Sequence, residues 1–411
     1  MISIDIADKK ILQNYVDAIL NEEEPVSPNS LEEKVRFLLV RDLLRLDWRI
    51  EANNGKVILT APENYNKQNI KESMAIKRGE SIVKKREWIQ NHIKLARENL
   101  ADGYDVLNSD IKPIIEVCRT EEQNDIFRIF RYYWSSPYSD YVGRRIRLII
   151  MNGYLPNKPA IGIAALGSPI IHIPARDEWI GWNKEIRTKK LIYTMDAYVL
   201  GALPPYNYLL GGKLVSYILA SNEIRNIHRK KYKNDTTIIA KRKANDLVCI
   251  FTTSLYGKSS QYNRIKYNDR LLYIPIGETK GYGTFHLTDE VFYTMLELLK
   301  SKNLHIGNKF GDGPMWRMRV INRVGDIIGF DSDSLLKHSF KRSIYAIPLA
   351  QNFKEYLNGE DKSPDYFDYP LNDLVDFWND RWLKQRKQNL DIVRKVKNFR
   401  RNSFNLTDVD C

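Results

Sequence analysis

Three sets of residues in this chain have types and spacings that could do chemistry. The first is Gly277-Glu278-Thr279-Lys280, which follows the apolar stretch 271–276. A carboxylate and a lysine two residues apart at a strand end, with another acid upstream, can hold a divalent metal and orient water for phosphodiester cleavage. Asp246 is the upstream acid, so Asp246, Glu278 and Lys280 are the catalytic candidates for a metal-dependent nuclease. A solvent-exposed turn is the plainer reading of the same residues. The second set is Gly211-Gly212-Lys213, between the apolar run 191–200 with Pro204-Pro205 and an apolar helical stretch. Free N–H groups at a helix N-terminus attract anions, and glycine lets a phosphate approach the backbone. The alternative is a tight turn that packs helix on sheet.

The third set is basic. Arg381, Lys384, Arg386, Lys387, Arg394, Lys395, Lys397, Arg400 and Arg401 are met only by Asp391 between positions 381 and 401. A solvated helix offsets such a run with acids at i±4. A helix without them, backed by Trp378, Trp382, Leu390, Val393, Val396 and Phe399, suits the phosphate backbone, where bound cations release condensed counterions. An acidic partner protein or plain surface are the alternatives. Arg176-Asp177 with Trp179 and Trp182 form either a structural clasp or a stacking platform for unpaired bases. His172, in an apolar run, and His338, among Lys337, Lys341 and Arg342, read as structural. No triple of His, Asp and Glu has metal-ligand spacing.

These residues need elements to hold them. Residues 1–115 are expected to be helical apart from one hairpin around Asn54-Gly55, a strong turn signal between alternating segments. The helix over 31–47 with that hairpin is a winged-helix fragment or a structural cap. A long charged helix follows over 67–101. Residues 116–300 form a central mixed-sheet domain, with strands expected at 146–151, 160–165, 170–173, 191–200, 247–253 and 271–276. One helix runs from Gly211 to about Lys233, and another starts at the Thr288-Asp289 cap. Residues 301–411 are expected to be helical, ending in one long basic helix. The fold class is α+β, a central mixed sheet flanked by helical ends.

Composition narrows the classes. The 411 residues are 43 % hydrophobic and 11 % aromatic, which suits a core-forming chain rather than a disordered one. The most apolar stretch, 160–173, is broken by Gly167, Ser168 and Pro169, short of about 18 uninterrupted apolar residues. Three scattered cysteines exclude a disulfide framework, and the N-terminus has no secretory pattern, so the expected compartment is the cytoplasm. Net charge is +13, from 64 basic and 51 acidic residues. The excess sits in 67–100, 222–246 and 381–401, whereas 355–380 carries eight acids against Lys362. Such segregation points to contact surfaces. The acidic segment, with Tyr356, Tyr366, Phe367, Tyr369 and Phe377, is expected to fold over a basic face when DNA is absent, and deletion of 355–370 to strengthen DNA binding.

An ordered set of words runs through the middle of the chain. It comprises Arg131–Ser139, Arg176–Trp182, Leu203–Val215, Thr252–Arg264, Gly277–Gly283, Leu335–His338, Arg342–Tyr345 and Pro348–Asn352. Over roughly 125–355 it resembles the DruA family of the Druantia anti-phage defence system. The resemblance implies a defence role in a multi-protein system with a helicase-like partner, but brings no catalytic residues or cofactor with it. The strand order around Gly211 is also similar to that of acyl-CoA-dependent acetyltransferases, in which such a turn holds the cofactor pyrophosphate. Lys213 stands where that pattern wants a small residue. The expected role is therefore a cytoplasmic defence component acting on nucleic acid, without a membrane. A nuclease, a group transferase and a non-catalytic assembly scaffold stay open.

Overall fold

The computed structural model describes residues 2–4, 29–53, 56–63, 65, 67–134, 143–236, 241–284, 286–307, 314–329 and 335–406. The Asn54-Gly55 turn and residues 135–139 of the family words lie outside them. The centre is a seven-stranded sheet: β1 (Pro113–Val117), β2 (Arg145–Asn152), β3 (Ala160–Gly167), β4 (Thr194–Ala202), β5 (Cys249–Ser254), β6 (Ile274–Glu278) and β7 (Ser343–Pro348). Their order is β6-β7-β5-β4-β3-β2-β1. Only β4 and β5 run parallel, pairing from Thr194↔Cys249 to Ala197↔Thr252; every other neighbour is antiparallel. A parallel pair needs a crossover, and the helices after β4 supply it. This is the mixed central sheet expected from the sequence.

The strands form because their apolar runs are covered on both faces. All eight residues of β3 are buried, as a continuous apolar run in a sheet centre should be. The helices include, in chain order, α1 (Leu31–Leu44), α2 (Lys67–Lys84), α3 (Arg86–Glu98), α4 (Gly103–Leu107), α5 (Glu121–Arg131), α6 (Pro174–Ile180), α7 (Gly211–Leu219), α8 (Asn222–Tyr232), α9 (Asp289–Ser301), α10 (Leu371–Trp378) and α11 (Leu390–Asn398), with further helices at Lys184–Lys190, Pro314–Ile328 and Phe353–Asn358. On one face Leu214, Val215 and Ile218 of α7 pack with Leu374, Val375 and Trp378 of α10. On the other lie Ile89 and Ala96 of α3, Phe127 and Phe130 of α5, and Phe404 and Leu406. A second helical core joins Val35–Leu46 and Met74 to α9 and to Val320–Ile328.

Several elements differ from expectation. Residues 170–173 are no strand: the Arg176 guanidinium takes the Ile170 and Ile171 carbonyls that a ladder would use. Each long helix is divided, at Lys85, at Ala220-Ser221 and at 387–389. The Asn389 side chain caps Ile392 N–H and so starts α11 afresh. Strand β7 lies within residues 301–411, and α1 packs against α9. The three regions read from the sequence therefore interleave in space. No helix among the described residues is long and apolar enough to cross a membrane.

Candidate nucleic-acid interface

The glycine turn and part of the basic C-terminal segment, far apart in sequence, meet in the fold. Leu210 takes a left-handed φ of 61° and turns the chain into α7. Across this turn lies the C-terminal layer: Trp378 Nε1 donates to Leu210 O at 3.3 Å, Arg386 Nε to Tyr208 O at 2.8 Å, and Trp382 Nε1 to Tyr217 Oη at 3.3 Å. The Lys213 ammonium lies 4.4 Å over the Trp382 ring and donates to the carbonyls of Ser260 and Asn263 at 2.6 and 3.1 Å. Burial, followed by Arg264 and Arg381, lowers its pKa to about 8. Arg264 and Arg381 are exposed, so three cations converge beside an indole.

The strands β4 and β5 part beyond Ala197, and the loop 259–264 closes the gap. Gln261 Nε2 donates to Leu200 O and Ser216 Oγ, both at 3.2 Å. Its amide would lie 3.2 Å from a Cβ at Gly212. Loop 259–264 thus packs against α7 at Gly212 and Ser216. Gly212 serves close packing here, and exposed positive charge sits at the rim, on Arg264 and Arg381.

The nine basic residues divide by role. Arg386 and Lys387 are half-buried and donate to the Tyr208 and Leu107 carbonyls, so they fasten the C-terminal layer. Lys384 pairs with Asp380 at 2.6 Å and Arg394 loosely with Asp391 at 3.8 Å, both pairs being exposed. Arg381, Lys395, Lys397 and Arg400 are exposed, and Arg401 is partly buried. Helix α11 is held close by Gly103, whose N–H donates to Phe399 O at 3.0 Å. A Cβ at Gly103 would lie 1.5 Å from Val396 O, so only glycine fits.

A second basic face is α8. Arg229, Lys230, Lys231 and Lys233 are exposed. The acidic, aromatic segment does lie against this helix. Arg225 donates to Phe367 O at 2.9 Å and lies 4.3 Å over the Tyr366 ring, while Asn222 donates to Asp368 at 2.6 Å. The segment is no detachable flap, because Tyr356, Leu357 and Tyr369 are buried and Phe367 N–H bonds Leu349 O. Removing 355–370 would open the core, so that experiment cannot test shielding.

The nuclease candidates are not brought together. Asp246 accepts from Tyr356 Oη at 3.1 Å and Tyr366 Oη at 3.4 Å, before the start of β5. Glu278 pairs in register with Ser343, itself opposite Ser254 at the far end of β5. Strand β5 alone spans about 16 Å, too far for one metal to be shared. Lys280 is exposed beside Glu278. Among the described residues no group of three His, Cys, Asp or Glu could hold a metal.

Arg176 and Asp177 form a clasp rather than a stacking platform. Arg176 is fully buried, its Nε and Nη2 donating to Asp177 Oδ1 at 2.9 and 2.7 Å. Asp177 Oδ2 accepts from Arg187 at 2.7 Å. Buried Trp182 donates to Leu357 O beneath Arg176, and half-buried Trp179 stacks on Phe353 with Lys354 over its ring, so both indoles are engaged within the fold. His172 is exposed and faces Asp177, instead of lying in the core; His338 is buried and accepts from Phe340 N–H at 3.0 Å. Sequence reasoning missed Asp196, a buried carboxyl that burial pushes up to about 6 even though it accepts from Ile170 N–H. It also missed the contact of Arg270 with Phe367, for which a lone arginine gives no sequence signal.

The sequence pattern of the Druantia protein DruA family matches residues 64–359. The Druantia protein DruA of Escherichia coli (strain UMEA 4076-1) is 35 % identical over 311 residues, covering 75 % of this chain and 76 % of that protein. No solved structure matches the fold. The matched span takes in all seven strands of the central sheet, α7, α8 and the loop that covers the glycine turn. The chain belongs to the DruA family, a component of the multi-protein Druantia anti-phage defence system.

Proposed function

We propose that this protein is the nucleic-acid-holding component of its Druantia system, working beside a helicase-like partner in the cytoplasm. The observation that carries the reading is the pairing of exposed cations with few acids on α11 and α8. Lys395, Lys397, Arg400, Arg229, Lys230, Lys231 and Lys233 stand in water, and ion pairs in the same surfaces are long or solvent-exposed. Such surfaces bind phosphates by counterion release. Gly211, Gly212 and Lys213 act in this reading through position: they set the turn that holds Arg264 and Arg381 at the rim.

The test is titration of the full chain against labelled single- and double-stranded DNA and RNA at several salt concentrations, with magnesium present and product length read from the same samples. Affinity falls steeply with salt. Lys395→Ala with Lys397→Ala and Arg400→Ala lowers the log–log slope on duplex DNA by about 2 to 3, at about 0.9 per phosphate contact. Weak binding to every nucleic acid at low salt defeats the reading. Shortened product would return Glu278 to the catalytic candidates.

A further inference from the structure

Away from α11, a groove of about 340 Å³ opens between the β6 edge and the acidic segment, with Arg270, Gln351, Phe353, Phe367 and Tyr369 among its walls. That volume lies in the range of about 300–1,000 Å³ usual for small-molecule sites. Its chemistry is particular. The Arg270 guanidinium lies 4.3 Å over the Phe367 ring. Phe367 in turn stacks on Tyr369 at 5.1 Å with an interplanar angle of 13°. Tyr267 meets Tyr369 edge-on at 5.4 Å and steadies the column from the side. An arginine held over a ring presents its outer plane and its unused N–H groups together. Unpaired bases stack on such planes, and phosphates pair with such donors.

The groove also touches a cationic surface. Arg225 of α8 donates to Phe367 O, so the wall of the groove is bolted to the basic helix. The exposed Arg229, Lys230, Lys231 and Lys233 continue from there. Asp368, the nearest acid on the segment, has its carboxylate engaged by Asn222. Exposed Gln351, at the rim, has an amide that can both donate to and accept from a base edge.

We propose that this groove binds a nucleotide through its base, stacked on the Arg270–Phe367–Tyr369 column, and that the source is an unpaired nucleotide of a single strand whose backbone follows α8. The proposal rests on the nucleic-acid reading for its source, and on the groove alone for its chemistry.

The test uses the full chain and an oligonucleotide of about 12 residues carrying one 2-aminopurine, free or annealed to its complement. The single strand shows a saturable fluorescence change on binding, and the duplex does not. Arg270→Gln and Phe367→Leu each weaken single-strand binding roughly tenfold, as loss of one stacking contact does, and leave duplex affinity unchanged. Arg270 is exposed, so its variant keeps the test sound should Phe367→Leu fail to fold. If both variants fold and bind the strand as the parent does, the groove proposal is overturned while the nucleic-acid reading stands. If the parent binds no strand or duplex but 2-aminopurine nucleotide alone binds in an Arg270-dependent way, the groove survives as a nucleotide site and the nucleic-acid reading falls. No binding of strand, duplex or free nucleotide overturns both.

Discussion

Acidification from pH 7 to pH 5 should cost this protein much of its stability, and the amount follows from three buried histidines. His228, His286 and His338 are each no more than 2 % exposed. Burial and then Arg144 lower His228 to about 3; burial and then Arg342 lower His338 to about 3. Burial and then His338 hold His286 well below its ordinary range. In the unfolded chain each ring titrates near about 6.5. The unfolded state therefore binds more protons throughout the window between about 3 and 6.5, and stability falls as pH falls through it. At pH 5, relative to pH 7, His228 and His338 each account for a loss of about 2 kcal/mol, hence about 4 kcal/mol for the two, and His286 acts in the same direction. Asp196 acts the other way. Its carboxyl, pushed up to about 6, gains its proton in the folded state first and returns about 1 kcal/mol over the same span. The net fall, about 3 kcal/mol before His286 adds to it, is a large part of the whole stability of many domains. Urea unfolding followed by tryptophan fluorescence at pH 7, 6 and 5 measures it, and His228→Leu should reduce the fall by about 2 kcal/mol. A loss below about 2 kcal/mol in the parent would refute the reasoning, because the rings would then be taking protons inside the fold.

Three further outcomes are expected. Gly103→Ala places a methyl 1.5 Å from Val396 O and breaks the fit of α11; overpacking of this kind lowers stability by about 3 kcal/mol in a thermal melt. Asp177→Asn leaves the fully buried Arg176 guanidinium without its carboxylate, and denaturant unfolding should show a loss of about 3 to 5 kcal/mol. Neutralising the exposed Asp365 and Asp368 to asparagine, which leaves the acidic segment in place, should tighten duplex binding about threefold at low salt, the scale of a surface charge effect; unchanged affinity means that the segment does not shield α8.

Much of the fold is written in local pattern, and the departures have local causes. The run at β3 is apolar over its whole length, and β4 and β5 carry apolar runs with few polar residues; in a sheet covered on both faces that signal is direct. The Thr288 cap fixed the start of α9 because its side chain accepts from Val291 N–H. Strand β7 was hidden by context. Ser343–Pro348 is wholly buried, yet it follows a basic stretch and lies in a region whose periodicity is helical. The divided helices were hidden for another reason. Hydrophobic spacing continues across Ala220-Ser221, and the break is imposed by the acidic segment, whose Tyr369 carbonyl takes the Asn222 N–H that starts α8. Periodicity sees the apolar face of a helix and not the distant carbonyl that competes for its backbone.

The site was legible as residue types but not as an arrangement. Lys213 and Arg381 were both picked out by charge and spacing, for separate purposes, and only the fold sets both beside Trp382. Half-burial changes what a basic residue can do. Arg386 and Lys387, indistinguishable in sequence from Lys395 and Lys397, spend their donors on the Tyr208 and Leu107 carbonyls. The charge that fastens the C-terminal layer to the sheet and the charge offered to solvent are thus neighbours in one run, with exposed Arg381 and Lys384 before the fastening pair and exposed Lys395, Lys397 and Arg400 after it. A basic cluster counted from sequence therefore overstates the contacts it can make, and the slope of binding against salt should follow the exposed subset alone.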